Sequence, residues 1–167
     1  MTSEKGAPYS EAYVWIWLPG ATQPVVAGLL SQQGGALAFN YGRSYLARPD
    51  AIAIYAPELP LRPGTHALLP GLNMPSCIRD ASPDAWGRRV LINRKLGMKG
   101  GDPTLVELDE LTYLLDSGSD RIGALDFQLS ATQYVSRHTQ QPTLEELLTA
   151  AEKVERGVPL SPELDQA

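Results

Sequence analysis

The stretch Ile78-Arg79-Asp80-Ala81-Ser82-Pro83-Asp84-Ala85-Trp86-Gly87-Arg88-Arg89 divides the chain in two. Before it the sequence reads as strands and turns; after it, mostly as helices. Ser82 is a favoured N-cap, Pro83 suits the first helical position because its missing N–H would have no partner there, and Asp84 places negative charge at the positive end of the helix dipole. The pattern predicts a helix from Pro83 through Val90, Ile92 and Leu96 to Gly97, which can take the left-handed conformation after a helix end. Arg94 and Lys95 fall near its negative end. Trp86 reads first as the core anchor of this helix and second as a contact for a ligand or partner.

On the N-terminal side, residues 1–11 lack periodicity and read as a flexible leader. Tyr13-Val14-Trp15-Ile16-Trp17-Leu18 is β-branched and aromatic on both faces, as a central strand would be. Pro19-Gly20 turns the chain into a return strand over Pro24 to Leu30, and Gln32-Gln33-Gly34-Gly35 turns it again. A third strand follows over Ala36 to Tyr41, with Leu37, Phe39 and Tyr41 on one face. Tyr45-Leu46-Ala47 is expected to extend or re-enter the sheet, and Ala51 to Tyr55 to form another short strand. Pro57, Pro60, Pro63, Pro70 and Pro75 forbid regular helix between 56 and 76, which predicts an extended loop across the sheet.

On the C-terminal side, residues 97–103 read as a loop. Thr104-Leu105-Val106-Glu107 has the capping-box pattern and opens a second helix, with Leu105, Leu108, Leu111 or Thr112, and Leu115 at helical spacing up to Gly118. Leu125, Phe127 and Leu129 alternate with Ala124, Asp126 and Gln128, as in a strand with one buried face that joins the N-terminal sheet. Thr143-Leu144-Glu145-Glu146 opens a further helix that ends at Gly157, and the tail after it reads as cut, or as a linker into something else. The fold class is α+β: a small, mainly antiparallel, barrel-like sheet lobe over 12–130 with packed helices, then a linker, helix and tail over 131–167.

Composition narrows function. A net charge of −5 with pI near 5.0 is the wrong sign for a protein that spreads along a phosphate backbone, so direct nucleic-acid binding is disfavoured. The aromatic set Trp15, Trp17, Phe39, Tyr41 and Tyr45 fits a packed core better than a base-stacking platform. Cys77 is the only cysteine and cannot form an internal bridge, which makes the cytoplasm the default; the longest apolar run, Val14 to Leu18, is too short to cross a bilayer. His66 and His138 each lack a second ligand at metal spacing, and Cys77 lacks a patterned His, so no metal or cofactor is expected. Asp80 and Asp84 read as turn and dipole residues, not as an acid/base couple. Gly100-Gly101 lacks the spacing of a phosphate-binding loop, and no kinase catalytic loop is found.

Asp80-Ala81-Ser82-Pro83-Asp84-Ala85-Trp86-Gly87-Arg88 resembles the D-x-x-P-D/E-x-W motif of the HipA-family toxin N-terminal region. Leu114-Leu115-Asp116-Ser117-Gly118-Ser119-Asp120-Arg121-Ile122-Gly123-Ala124-Leu125 resembles the LL-x-x-G-x-D-x-x-GAL block that follows it there. The resemblance implies the N-terminal subdomain of a serine/threonine kinase toxin from a type II toxin–antitoxin pair. Such a toxin acts in the bacterial cytoplasm on an aminoacyl-tRNA synthetase and is restrained by a DNA-binding HipB-like antitoxin. The family's phosphate loop and catalytic and metal-binding aspartates lie further along than this chain reaches, so no catalytic residue carries over and no enzyme is expected in the chain as it stands. Asp80, Pro83, Asp84, Trp86, Arg88, Asp120 and Gly123 are the motif residues the resemblance marks for partner docking. It implies a scaffold that packs on a HipA-like kinase core and offers surfaces to the antitoxin or to a second copy. The alternative is a stand-alone small antitoxin that docks on a separate kinase subunit, with Trp86 as its plug. A small-molecule binding module is a third possibility, resting on aromatic content alone.

Overall fold

The computed structural model describes residues 9–97, 108–137, 148 and 151–152. Strand β1 (Glu11–Ile16) lies inside a four-stranded antiparallel sheet in the order β3-β2-β1-β4, between β2 (Val25–Gln33) and β4 (Leu125–Gln128), with β3 (Ala36–Tyr41) beyond β2. Helices are interposed between β3 and β4, which makes the fold α+β. β1 is central because it is apolar on both faces: Ala12, Val14, Trp15 and Ile16 are all buried. The register sets Val14 opposite Gly28 on one side and Phe127 on the other. Gly28 is needed there, because a Cβ would lie 2.1 Å from the Asn40 carbonyl oxygen and 2.7 Å from the Phe39 ring. β2 and β3 are joined by Gly34-Gly35, both with positive φ (55° and 87°), as a tight hairpin turn of matching twist requires.

Several boundaries differ from the sequence expectation for local physical reasons. β1 starts at Glu11, inside the span assigned to the leader, and the Tyr9 hydroxyl donates to Asp116 at 2.9 Å. Tyr45-Leu46 does not re-enter the sheet but belongs to a short helix, α1 (Arg43–Leu46). Ala51 to Tyr55 is not a strand either: two tyrosine hydroxyls take the place of a ladder. Tyr45 donates to the Ile52 carbonyl at 2.8 Å, Ile54 N–H donates to Tyr41 Oη at 2.9 Å, and Tyr41 donates in turn to the Leu59 carbonyl at 2.8 Å. Their rings stack with centroids 5.7 Å apart, and burial pushes the Tyr41 hydroxyl pKa up to about 12.

The proline-rich loop is helix-free until Pro75, where α2 (Ser76–Asp80) begins unannounced. Its N-terminus is satisfied from a distance: the Glu58 carboxylate accepts from Ser76 N–H at 2.7 Å and from the Ser76 hydroxyl. Helix α3 (Ala85–Gly97) ends at Gly97 as expected but starts two residues later than Pro83. Asp84 is the cap, its carboxylate accepting from Gly87 N–H at 2.8 Å, while the Ser82 hydroxyl is occupied by the Arg88 guanidinium at 3.1 Å. Helix α4 (Glu110–Asp116) is capped by Asp109, which accepts from Thr112 N–H at 2.9 Å; Leu108 and Asp109 are not helical, and the Thr104 capping box lies outside the described residues. So do Gly100-Gly101, His138 and most of the 143–157 segment, in which Leu148, Ala151 and Glu152 are helical.

β4 joins the sheet beside β1, but its alternation does not divide core from solvent. All four residues are buried, Asp126 and Gln128 included, and Leu129 beyond its end is 63% exposed. Both sheet edges are covered. Outside β3, Leu37 N–H donates to the Asn73 carbonyl at 2.7 Å, Asn40 bridges Thr65, and buried His66 bonds the Pro60 carbonyl through Nε2 at 2.7 Å. Outside β4, Gln128 exchanges hydrogen bonds with the Val135 backbone through its side chain. Among the described residues no helix is long and apolar enough to cross a membrane.

Candidate docking site

The first motif forms the α2–α3 junction. Asp80 is the last residue of α2 and is exposed, Pro83 is half-buried, and Asp84 caps α3. Arg88 faces inward. Its guanidinium makes a two-pronged bond to Glu110 at 2.7 Å on each oxygen, donates through Nε to the Pro83 carbonyl at 3.1 Å, and lies 4.4 Å from the Tyr113 ring centroid. It therefore joins α3 to α4. Trp86 sits two positions earlier, a rotation of about 200° on a helix, and is 45% exposed. The core-anchor expectation for Trp86 is thus wrong: Arg88 takes the inward side of that turn, and the indole is left at the surface.

The second motif block supplies the counterpart. Leu114 and Leu115 are buried at the end of α4, and the chain then turns through Asp120, which is exposed, and Gly123, whose φ of 106° favours glycine. Between them lies Arg121, with a side chain only 4% exposed. It donates to Asp126 at 3.0 Å, to the Ala81 carbonyl at 3.0 Å and to the Leu114 carbonyl. One guanidinium thus ties the turn of the first motif to the end of α4 and to β4.

Asp126 is the centre of this network, and nothing in the sequence marked it. Its carboxylate is fully buried and accepts from Arg121, from Arg137 at 2.9 Å, from the Tyr134 hydroxyl at 3.0 Å, from Gln128 Nε2 at 3.0 Å and from Phe127 N–H at 2.8 Å. Burial opposes its ionisation, but the hydrogen bonds from Ser119 and Phe127 N–H and the Arg137 charge outweigh that and hold its pKa below the usual carboxylate value. Burial likewise pulls the Arg121 pKa down, with Asp126 resisting. Arg137 also bonds the Phe127 carbonyl at 2.6 Å, so residues 130–137 fold back onto β4. There Tyr134 packs between Trp15 and Trp17, with ring centroids 5.5 and 5.3 Å away.

Beside this clamp is a solvent-open groove of about 520 Å³. It is lined by Ile16, Ala124 and Leu125 from the β1–β4 ends, by Trp17, Ile52 and Ile54, and by Cys77, Asp80 and Ala81 from α2 and the turn after it. Ile122 and Gly123 also line it; Ile122 is 96% exposed and Ile52 is 41% exposed. Of the sequence-marked residues, Asp80 and Gly123 meet here; Pro83, Asp84, Trp86, Arg88 and Asp120 do not line the groove. Burial, and behind it the charges of Glu58 and Asp80, push the Cys77 thiol up to about 11, which keeps its thiolate fraction low at neutral pH. Among the described residues no group of three His, Cys, Asp or Glu side chains could hold a metal ion.

A family model, the HipA N-terminal domain, matches residues 16–128, more than half of the chain. The chain belongs to the HipA N-terminal domain family. The match runs from the last residue of β1 to the last residue of β4, so the HipA N-terminal domain here takes in both motif segments, the Arg121 clamp and every residue lining the groove. The HipA N-terminal domain is itself a non-catalytic domain. No curated protein matches the chain.

Proposed function

We propose that this HipA N-terminal domain is a non-catalytic docking body in a bacterial toxin–antitoxin system, packing on a HipA-like kinase core in cis or in trans and working in the cytoplasm. The observation that carries this reading is the Arg121 clamp: it joins the two motif segments into one rigid base while apolar side chains, Ile122 at the groove and Trp86 on α3, stay at the surface. A preorganised base with exposed apolar anchors is what a protein interface requires, because little ordering is left to oppose association. The DNA-binding HipB-like antitoxin meets the assembled kinase, and the acidic chain leaves DNA contact to that partner.

The exposure of Trp86 favours a second reading within the same class, a stand-alone antitoxin that inserts the indole into a pocket of a separate kinase subunit. Calorimetric titration of the chain into a HipA-like kinase core, with kinase activity followed in parallel, separates the two. Binding without inhibition supports the scaffold. Binding with inhibition that Trp86→Ala abolishes supports the antitoxin, and no heat with any such core at micromolar concentrations refutes both. The chain alone is expected not to bind ATP at micromolar affinity.

A further inference from the structure

The groove carries one charged side chain in an otherwise apolar lining. Ile16, Trp17, Ile54 and Leu125 line it with Ile122, which is almost fully exposed, and Asp80 supplies an exposed carboxylate. Asp80 is exposed and enters no ion pair among the described residues. Its charge reaches the groove, since it contributes, behind burial and Glu58, to the raised pKa of the Cys77 thiol.

These features select an occupant. An anionic ligand would find no cationic lining residue, and a metal ion would find a single carboxylate. An apolar side chain would displace water from the walls, and a cation beside it would pair with Asp80 in a molecule whose net charge of −5 already attracts positive partners. We propose that the groove receives an amphipathic segment of the kinase-core partner, which buries one or two branched aliphatic or aromatic side chains against Trp17 and Leu125 and pairs a Lys or Arg with Asp80. The identity of the partner rests on the docking reading above; the chemistry of the segment rests on the lining alone.

Selection of a random peptide library on the full chain, with counter-selection on Ile122→Asp, tests this. The expected peptides are apolar with at least one Lys or Arg. Asp80→Lys should weaken a selected peptide about tenfold or more in fluorescence polarisation, because it sets like charges face to face. Exchanging the peptide's Lys for Glu should restore binding to Asp80→Lys. Both substituted positions are exposed, so the variants are expected to keep wild-type melting. Acidic peptides, peptides indifferent to Ile122→Asp, or self-association through the groove that Ile122→Asp abolishes would each overturn the proposal. Kinase-core binding that is indifferent to both Asp80→Lys and Ile122→Asp removes the groove and leaves the docking reading standing. Peptide selection at the groove without any kinase-core binding does the reverse.

Discussion

Replacing Asp126 by Asn keeps the shape of the side chain and removes its charge. Arg121, whose side chain is 4% exposed, would then remain buried without its counter-ion. Breaking a buried ion pair by removing one partner costs about 3–5 kcal/mol. Because the Asn oxygen can still accept a hydrogen bond, the lower end, about 3 kcal/mol, is expected, a sizeable share of the roughly 5–15 kcal/mol that holds a domain folded. Arg137→Met is the control. Its side chain is 30% exposed, and Asp126 would keep Arg121, so the loss should be nearer 2 kcal/mol, the scale of a hydrogen bond to a charged group. Urea unfolding followed by tryptophan fluorescence reads both values, provided the slope m is unchanged. A loss below about 1 kcal/mol for Asp126→Asn, or an equal loss for Arg137→Met, would refute the view that Asp126 is the hub. The pH dependence has a definite sign. The native carboxyl titrates below its ordinary value of 3.8, so its contribution is present above that value and lost as pH falls through the lower native one. Wild type should therefore lose stability steeply below about pH 4, and Asp126→Asn should flatten that slope.

Three further outcomes are expected. Gly28→Ala sets a Cβ 2.1 Å from the Asn40 carbonyl oxygen and should destabilise by about 3 kcal/mol, visible in the same urea assay; a neutral effect would mean β2 and β3 pair differently. Cys77, with its thiol pKa near 11, should resist iodoacetamide at pH 8 in the native chain and react quickly in urea, whereas rapid native alkylation would show a reactive thiol. Trp86→Ala should change stability by less than about 1 kcal/mol, since the indole is 45% exposed, and a large loss of melting temperature would return Trp86 to the core.

Much of the sheet is legible in the sequence because its signals are local. Alternation over Ala36 to Tyr41, the Gly34-Gly35 turn and the doubly apolar β1 each act within a few residues. The misread segments depend on partners far along the chain. Ala51 to Tyr55 has the composition of a strand, yet its backbone is satisfied by the hydroxyls of Tyr41 and Tyr45. Ser82 has the chemistry of a cap, yet its hydroxyl is taken by Arg88, and the cap passes to Asp84. Asp126 follows the polar–apolar rhythm of a half-exposed strand, but Arg121, Tyr134 and Arg137 close over its polar side, and no spacing rule links those positions. The candidate site divides the same way: its motif segments are visible as words, while the groove between them exists only after folding.

Arg121 touches the turn at Ala81, the end of α4 at Leu114 and the sheet at Asp126 with one planar group. Substitutions in these three regions are therefore not independent. A double-substitution scan pairing changes at Ala81 with changes at Arg121 or Asp126 should reveal strong epistasis, the second lesion costing far less once the first has freed the guanidinium. Amide hydrogens of the two segments should then exchange as one cooperative unit, although some forty positions separate them along the polypeptide.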